Sequence, residues 1–228
     1  MTFKKVTHVI FDMDGLLLDS EKAYDKMISA IARKYGKEYT LETRMKIMGT
    51  PEPVTAKIAV SEMSLPITPE QFLAEYEEMG KIYLQNPPLF EGAEKLVRHL
   101  HKHNIPIALA TSSSKESVAI KTKDYTDLFS LFHHKVMGSS DPEVKRGKPN
   151  PDIYLVCASR FPDKPSPEQC LVLEDAPNGV VGAVRAGMQV VMVPSKEVNE
   201  ELRKPATLAI EALVDFKPEL FGLPPFED

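Results

Sequence analysis

The chain has little of what marks a secreted, membrane-bound or nucleic-acid-binding protein. Cys157 and Cys170 are its only cysteines among 228 residues. Two thiols cannot supply a disulfide framework for this length, and they read as reduced, partly buried side chains of a cytoplasmic protein. No apolar run approaches the roughly 18 residues of a membrane span, and the longest are interrupted by Asp or Pro. The first apolar stretch stops at Asp12, too early for a signal-peptide core, and the opening Met-Thr and closing Phe-Glu-Asp fit neither lipidation nor address patterns. Positive charge is not in excess, since 28 Lys+Arg stand against 33 Asp+Glu for a net of −5. Basic residues are scattered, with only small clusters such as Lys145-Arg146 and Lys121 with Lys123. That balance argues against a nucleic-acid polymer or an anionic membrane as partner. A small anionic ligand remains open if positive charge is concentrated locally or a metal supplies it. Internal repeats and low-complexity segments are absent as well.

What is present is the material of a sizeable core, with 43% hydrophobic and 27% charged residues. Short apolar, β-branched runs recur at 6–11, 105–110, 135–138, 170–173 and 190–193. Helical patterns separate them, among them 93–103, 151–160 and 177–186, the last with Pro177 near its start and Gly187 after its end. Strands alternating with helices, and apolar throughout, predict an α/β fold: a Rossmann-like, doubly wound parallel sheet covered on both faces.

One segment breaks the alternation. From about 21 to 85 no strand pattern occurs, and apolar residues fall at helical spacing: Ile28, Ile31 and Tyr35; Met45 and Met48; Ile58 and Met63; Phe72, Tyr76, Met79 and Tyr83. Gly36, Gly49-Thr50-Pro51 and residues 66–69 punctuate it. This reads as a small helical bundle with its own core of methionines and tyrosines, inserted after the first strand and returning through Asn86-Pro87-Pro88. The Pro-rich tail from Phe216 is expected to pack back on the sheet core without forming an element.

In an open parallel sheet, ligands sit beyond the carboxyl ends of the strands. The first strand ends in Asp12-Met13-Asp14-Gly15, the second in Thr111-Ser112-Ser113, and the fourth run in Glu174-Asp175. Lys148 precedes a helix in Arg146-Gly147-Lys148-Pro149. Carboxylates gathered on one rim repel unless a cation neutralises them, and an all-oxygen ligand set points to Mg²⁺ over zinc. Hydroxyls and a lysine beside such a metal suit a phosphate. Taken singly, each feature has a plainer reading. The Thr-Ser run could be a helix N-cap, Glu174-Asp175 could complement a helix N-terminus, and Asp-x-Asp-Gly has its glycine too early for an EF-hand. His99 and His103, though at metal-like spacing, are assigned no role.

The four stretches VIFDMDG, IALATSS, RGKPNPDIY and LVLEDAPNG, in this order, resemble the motifs of the haloacid dehalogenase superfamily in its phosphatase branch. The resemblance spans essentially the whole chain and implies a core domain of residues 1–20 and 86–228 with a helical cap domain at 21–85. It implies Asp12 as nucleophile, forming an aspartyl-phosphate, and Asp14 as general acid and base. Thr111, Ser112 and Lys148 would bind the phosphate, with Asn178 and Ser112 as candidates for orienting groups. Mg²⁺ would be held by Asp12, the Asp14 carbonyl and Asp175, with Glu174 bound directly or through water.

The cap selects the substrate in this family. Sugar phosphomutases of the branch usually carry an arginine shortly after the cap glycine, whereas Thr50-Pro51-Glu52 follows Gly49 here, which favours hydrolysis. The resemblance extends, mostly in the core and tail, to phosphatases of pseudouridine 5′-phosphate. The expected partner is therefore a small phosphorylated metabolite, a nucleoside 5′-monophosphate foremost, and the protein a monomer. The alternatives are a sugar-phosphate phosphatase or phosphomutase, and a non-catalytic binding or regulatory protein on the same scaffold.

Overall fold

The computed structural model describes residues 3–227. Its sheet has six strands in the order β3-β2-β1-β4-β5-β6. They are β1 (His8–Phe11), β2 (Ile107–Thr111), β3 (His134–Met137), β4 (Cys170–Glu174), β5 (Gln189–Met192) and β6 (Leu208–Ala209), and every pairing is parallel. Strands β1, β2 and β4 are buried along their whole length, as a sheet covered on both faces requires. Alternate residues of β1 serve opposite cores. Val9 and Phe11 pack with Leu96, Leu100 and the tail residues Phe216 and Phe221, while Ile10 packs with Tyr154, Val172 and Val180.

Helices α1 (Glu21–Lys34), α2 (Leu41–Ile47), α3 (Glu52–Glu62) and α4 (Pro69–Tyr83) form the insert. Thr40 and Thr68 cap α2 and α4, the latter in a reciprocal capping box with Gln71. Met27, Ile28, Ile31, Ala59, Phe72 and Tyr76 make a core of the insert's own. Two of the expected members go elsewhere. Met48 is buried in the cluster beside Ala176 and Val180, with Met45 packed against it, so these methionines join the insert to the sheet. The spacing of one residue on a seven-residue helix and one just past its end could not show which body they face.

The remaining helices are α5 (Ala93–Lys102), α6 (Lys115–Lys121), α7 (Thr126–Phe129), α8 (Asp152–Arg160), α9 (Pro177–Arg185) and α10 (Glu200–Arg203). The tail does pack on the core, with Phe216, Phe221 and Leu223 buried, but it forms a short 3-10 turn at Pro218–Phe221. The two-residue edge strand β6 was not expected, because two residues carry no periodicity. Among the described residues no helix is long and apolar enough to cross a membrane. Both cysteines are buried and free.

Candidate active site

Register brings the motif residues to one rim. Phe11 pairs with Leu109 on one side and Leu173 on the other, so Asp12, Thr111 and Glu174 follow at neighbouring strand ends. The chain then turns sharply, with the N–H groups of Leu17 and Leu18 both donating to the Met13 carbonyl. Gly15 sits in this turn at φ +84°, and a Cβ there would lie 2.1 Å from Oδ2 of Asp175. Glycine is required twice over, for the left-handed backbone and for the carboxylate's approach.

Lys148 Nζ lies 2.5 Å from Asp12 Oδ1 and 2.5 Å from Glu174 Oε1, and it also donates to the Ala110 carbonyl. Tyr154 donates to the same Glu174 oxygen at 2.6 Å, and the N–H groups of Asp175 and Ala176 donate to the other. Asp12, Glu174 and Asp175 are buried and offer ligand oxygens within 4.8 Å of one another. Burial pushes the Asp12 carboxyl up to about 7; Lys148 pulls it back and Glu174 adds to the rise. Asp175 is pushed well above the usual carboxylate range by burial and then by Glu174 and Asp12. One ammonium among three buried carboxylates leaves two negative charges unbalanced. A divalent cation with oxygen preference fits both that charge and that donor set.

Asp14 is held differently. Its oxygens lie 2.7 and 2.6 Å from Lys121 Nζ, and they accept from Ser20 at 2.6 Å and Ser113 at 2.9 Å, with the Thr111 hydroxyl at 3.5 Å. Burial alone would raise its pKa, but the Lys121 charge and these hydrogen bonds outweigh it and hold the carboxyl below its ordinary value. Lys121, which the sequence shows only as one of a small basic cluster with Lys123, is completely buried, and burial's lowering of its pKa is overcome by Asp14.

The insert closes over this rim. A cavity of about 100 Å³ is lined by Asp12, Asp14 and Thr111 from the sheet side and by Tyr24, Arg44, Glu52 and Tyr76 from the insert. Glu52 is buried, and its carboxylate accepts from the N–H and hydroxyl of Ser114 at 3.2 and 3.1 Å. Arg44 pairs with Glu21 and Asp25 and lies 3.7 Å from Glu197, across the join.

The expected site residues therefore fall into two groups. Asp12, Asp14, Thr111, Lys148, Glu174 and Asp175 converge. Ser112 and Asn178 lie at the rim, but their side chains donate to the insert's Gly49 and Met48 carbonyls, both at 3.0 Å. These two bonds tie insert to sheet. Ser114, not Thr111, caps α6. His99 lies against the Pro224 carbonyl and the Phe226 ring, far from the rim in function, and holds the tail. Sequence reasoning missed Lys121 and Tyr24, whose hydroxyl is 2.7 Å from Lys121 Nζ.

A family model described as haloacid dehalogenase-like hydrolase matches residues 6–187. A Drosophila melanogaster protein described as a probable pseudouridine-5′-phosphatase is 48% identical over 225 residues, covering 99% of this chain and 97% of its own. The (DL)-glycerol-3-phosphatase 2 of Arabidopsis thaliana is 46% identical over 226 residues, covering 98% and 94%. Among solved structures, a β-phosphoglucomutase from Clostridium difficile superposes with a TM-score of 0.77 at 21% identity, covering 94% of each chain, and shows the shared fold.

Proposed function

The chain belongs to the haloacid dehalogenase-like hydrolases and is a phosphoric monoester hydrolase; from that premise we propose that it hydrolyses pseudouridine 5′-phosphate to pseudouridine and phosphate, with Mg²⁺ as cofactor. The observation that carries the chemistry is the buried convergence of Asp12, Glu174 and Asp175, with Lys148 between Asp12 and Glu174 and with Asp12 lining a cavity that the insert helps to wall. The insert, residues 21–85, acts as a cap domain over the core domain formed by 1–20 and 86–228.

Asp12 attacks phosphorus, and the bond to the leaving oxygen breaks as the new bond to Asp12 forms. Asp14 supplies the proton that the leaving oxygen takes up. Water then attacks the aspartyl-phosphate, its proton passes to Asp14, and phosphate leaves from Asp12. The Lys121 charge and the hydrogen bonds to Asp14 favour its ionised form, the form needed to accept that proton. A phosphate dianion bound nearby raises its proton affinity for the acid half of the cycle. Lys148 and Thr111 stabilise the phosphoryl oxygens. Asp12, Asp175, the Asp14 carbonyl and Glu174, directly or through water, would hold Mg²⁺, which when bound screens charge on nucleophile and phosphate alike.

The substrate assignment rests on likeness to the Drosophila protein over nearly the whole chain. One observation favours a second reading, a glycerol 3-phosphate phosphatase. The cavity of about 100 Å³ is small beside ordinary ligand pockets, and a three-carbon phosphate needs less room than a nucleotide. A phosphomutase is disfavoured, because Glu52 stands where a second phosphate would need positive charge, with its carboxylate engaged by Ser114.

The test is phosphate release from pseudouridine 5′-phosphate, uridine 5′-phosphate, glycerol 3-phosphate and hexose phosphates, with Mg²⁺ and with chelator. The highest kcat/KM is expected on pseudouridine 5′-phosphate. A maximum on glycerol 3-phosphate selects the second reading, and no Mg²⁺-dependent release from any ester would return the chain to a binding or regulatory role.

A further inference from the structure

Among the described residues only two lysines are buried, Lys148 and Lys121. Lys148 belongs to the carboxylate cluster. Lys121, on α6, belongs to none of the motifs, yet its ammonium meets four acceptor atoms: both oxygens of Asp14, the Tyr24 hydroxyl at 2.7 Å and the Ser113 hydroxyl at 2.7 Å. An ammonium has three N–H groups, so none is left for a phosphate. Its partner is Asp14 itself, and contact with both oxygens fixes the plane and direction of that carboxylate.

A buried ion pair is a poor device for stability alone, since apolar residues of similar volume usually serve as well or better. What such a pair supplies is a defined orientation. One of the groups that hold it is not part of the sheet body. Tyr24 comes from α1 of the insert, where its ring stacks against Tyr76 of α4 with centroids 6.1 Å apart. The hold on Asp14 is therefore assembled from both sides of the join.

We propose that Lys121 is a positioning residue that aims the Asp14 carboxylate for proton transfer, and that the Tyr24 hydroxyl completes this hold only when the cap is seated on the core. The proposal rests on the reading of the chain as a phosphatase in which Asp14 carries the proton. It assigns Lys121 an effect on the two proton transfers of Asp14, the leaving-group step and the hydrolysis step, and none on phosphate binding.

The experiment measures, by rapid quench, the first-turnover rate of leaving-group release, and KM, for Lys121→Met, Lys121→Arg and Tyr24→Phe beside the wild type. Two esters are used: the best alkyl phosphate of the panel, whose leaving oxygen needs a proton, and p-nitrophenyl phosphate, whose leaving group departs unaided. Well-placed acid–base groups contribute on the order of 10²–10⁴ in rate, so Lys121→Met is expected to lower the first-turnover rate on the alkyl ester by about 10- to 100-fold. KM should stay within about threefold, because no binding contact is removed. The loss on the nitrophenyl ester should be smaller, Lys121→Arg should recover part of it, and Tyr24→Phe should show the same pattern weakly. Equal losses of the first-turnover rate on both esters, or an unchanged first-turnover rate on the alkyl ester in Lys121→Met, overturn the proposal. If Lys121→Met does not fold, an unchanged ratio between the esters in both other variants overturns it equally. Wild-type protein inactive on both esters overturns the phosphatase reading and this proposal with it; active wild type with unaltered ratios in the variants overturns only the proposal.

Discussion

Gly147 and Pro51 touch across the join between core and insert: a Cβ on Gly147 would fall 2.0 Å from Cγ of Pro51 and 2.8 Å from its Cδ. Gly147 immediately precedes Lys148, and Pro51 opens α3. The absence of a side chain at 147 is thus what lets the proposed cap come down beside Lys148. Gly147→Ala must push the two bodies apart, at a cost of about 1–3 kcal/mol for the closed arrangement. Steady-state kinetics should show KM raised several-fold with a smaller change in kcat. Wild-type kinetics in a folded variant would mean that closure at this point is unimportant to turnover.

Asp12→Asn retains size and much of the hydrogen bonding but removes the attacking charge. Turnover should drop to background while circular dichroism and melting remain those of a folded protein. The melting temperature without Mg²⁺ should be equal or higher, since one of three crowded carboxylates is gone. Substantial activity in folded Asp12→Asn would remove the aspartyl-phosphate route.

The carboxylate cluster also sets a pH dependence. Asp12 in the folded chain is raised to about 7 from an ordinary 3.8, and Asp175 is raised as well. A carboxyl raised on folding favours the native state while protonated; that stability is present below about 3.8 and is lost as pH rises through about 7. Chelated protein should therefore lose stability from this source between about pH 4 and pH 7, and Mg²⁺ should restore it increasingly across the same interval. Asp175→Ala should flatten the trend and weaken activation by Mg²⁺. The check is melting with Mg²⁺ and with chelator as a function of pH, and a Mg²⁺-induced shift that shrinks with rising pH would contradict the assignment.

Asp14→Asn leaves the main-chain carbonyl in place and so should spare Mg²⁺ and phosphate binding. It can neither give nor take the catalytic proton. On p-nitrophenyl phosphate the first step should be relatively spared, and phospho-enzyme at Asp12 should accumulate because its hydrolysis lacks a base. Rapid-quench sampling on this ester and an alkyl phosphate reads both effects. Equal slowing of the first step on both, with no trapped phospho-enzyme, would reduce Asp14 to a structural part.

Much of the molecule was legible in the sequence, and for an identifiable reason. A parallel strand is apolar along its length because both faces are covered, so β1, β2, β4 and β5 announce themselves as runs. Their carboxyl ends then mark where ligands gather. Asp12, Asp14, Thr111 and Glu174 follow such runs, and Lys148 stands before the turn into α8. The alternation of strand and helix is a local pattern, and so is its interruption between 21 and 85.

Tertiary structure alone decided the contacts between the two bodies. Lys121 is completely buried although it ends a short helix beside Thr122 and Lys123, because its partner Asp14 lies 107 positions earlier in the chain. Glu52 reaches Ser114 over 62 positions, and Met48 leaves the insert's own core for the sheet's. Periodicity records which side of an element is apolar; it does not record which neighbour covers that side. A charge buried by a distant countercharge has no local signature at all, since the free energy that permits its burial comes from a residue brought close only by folding.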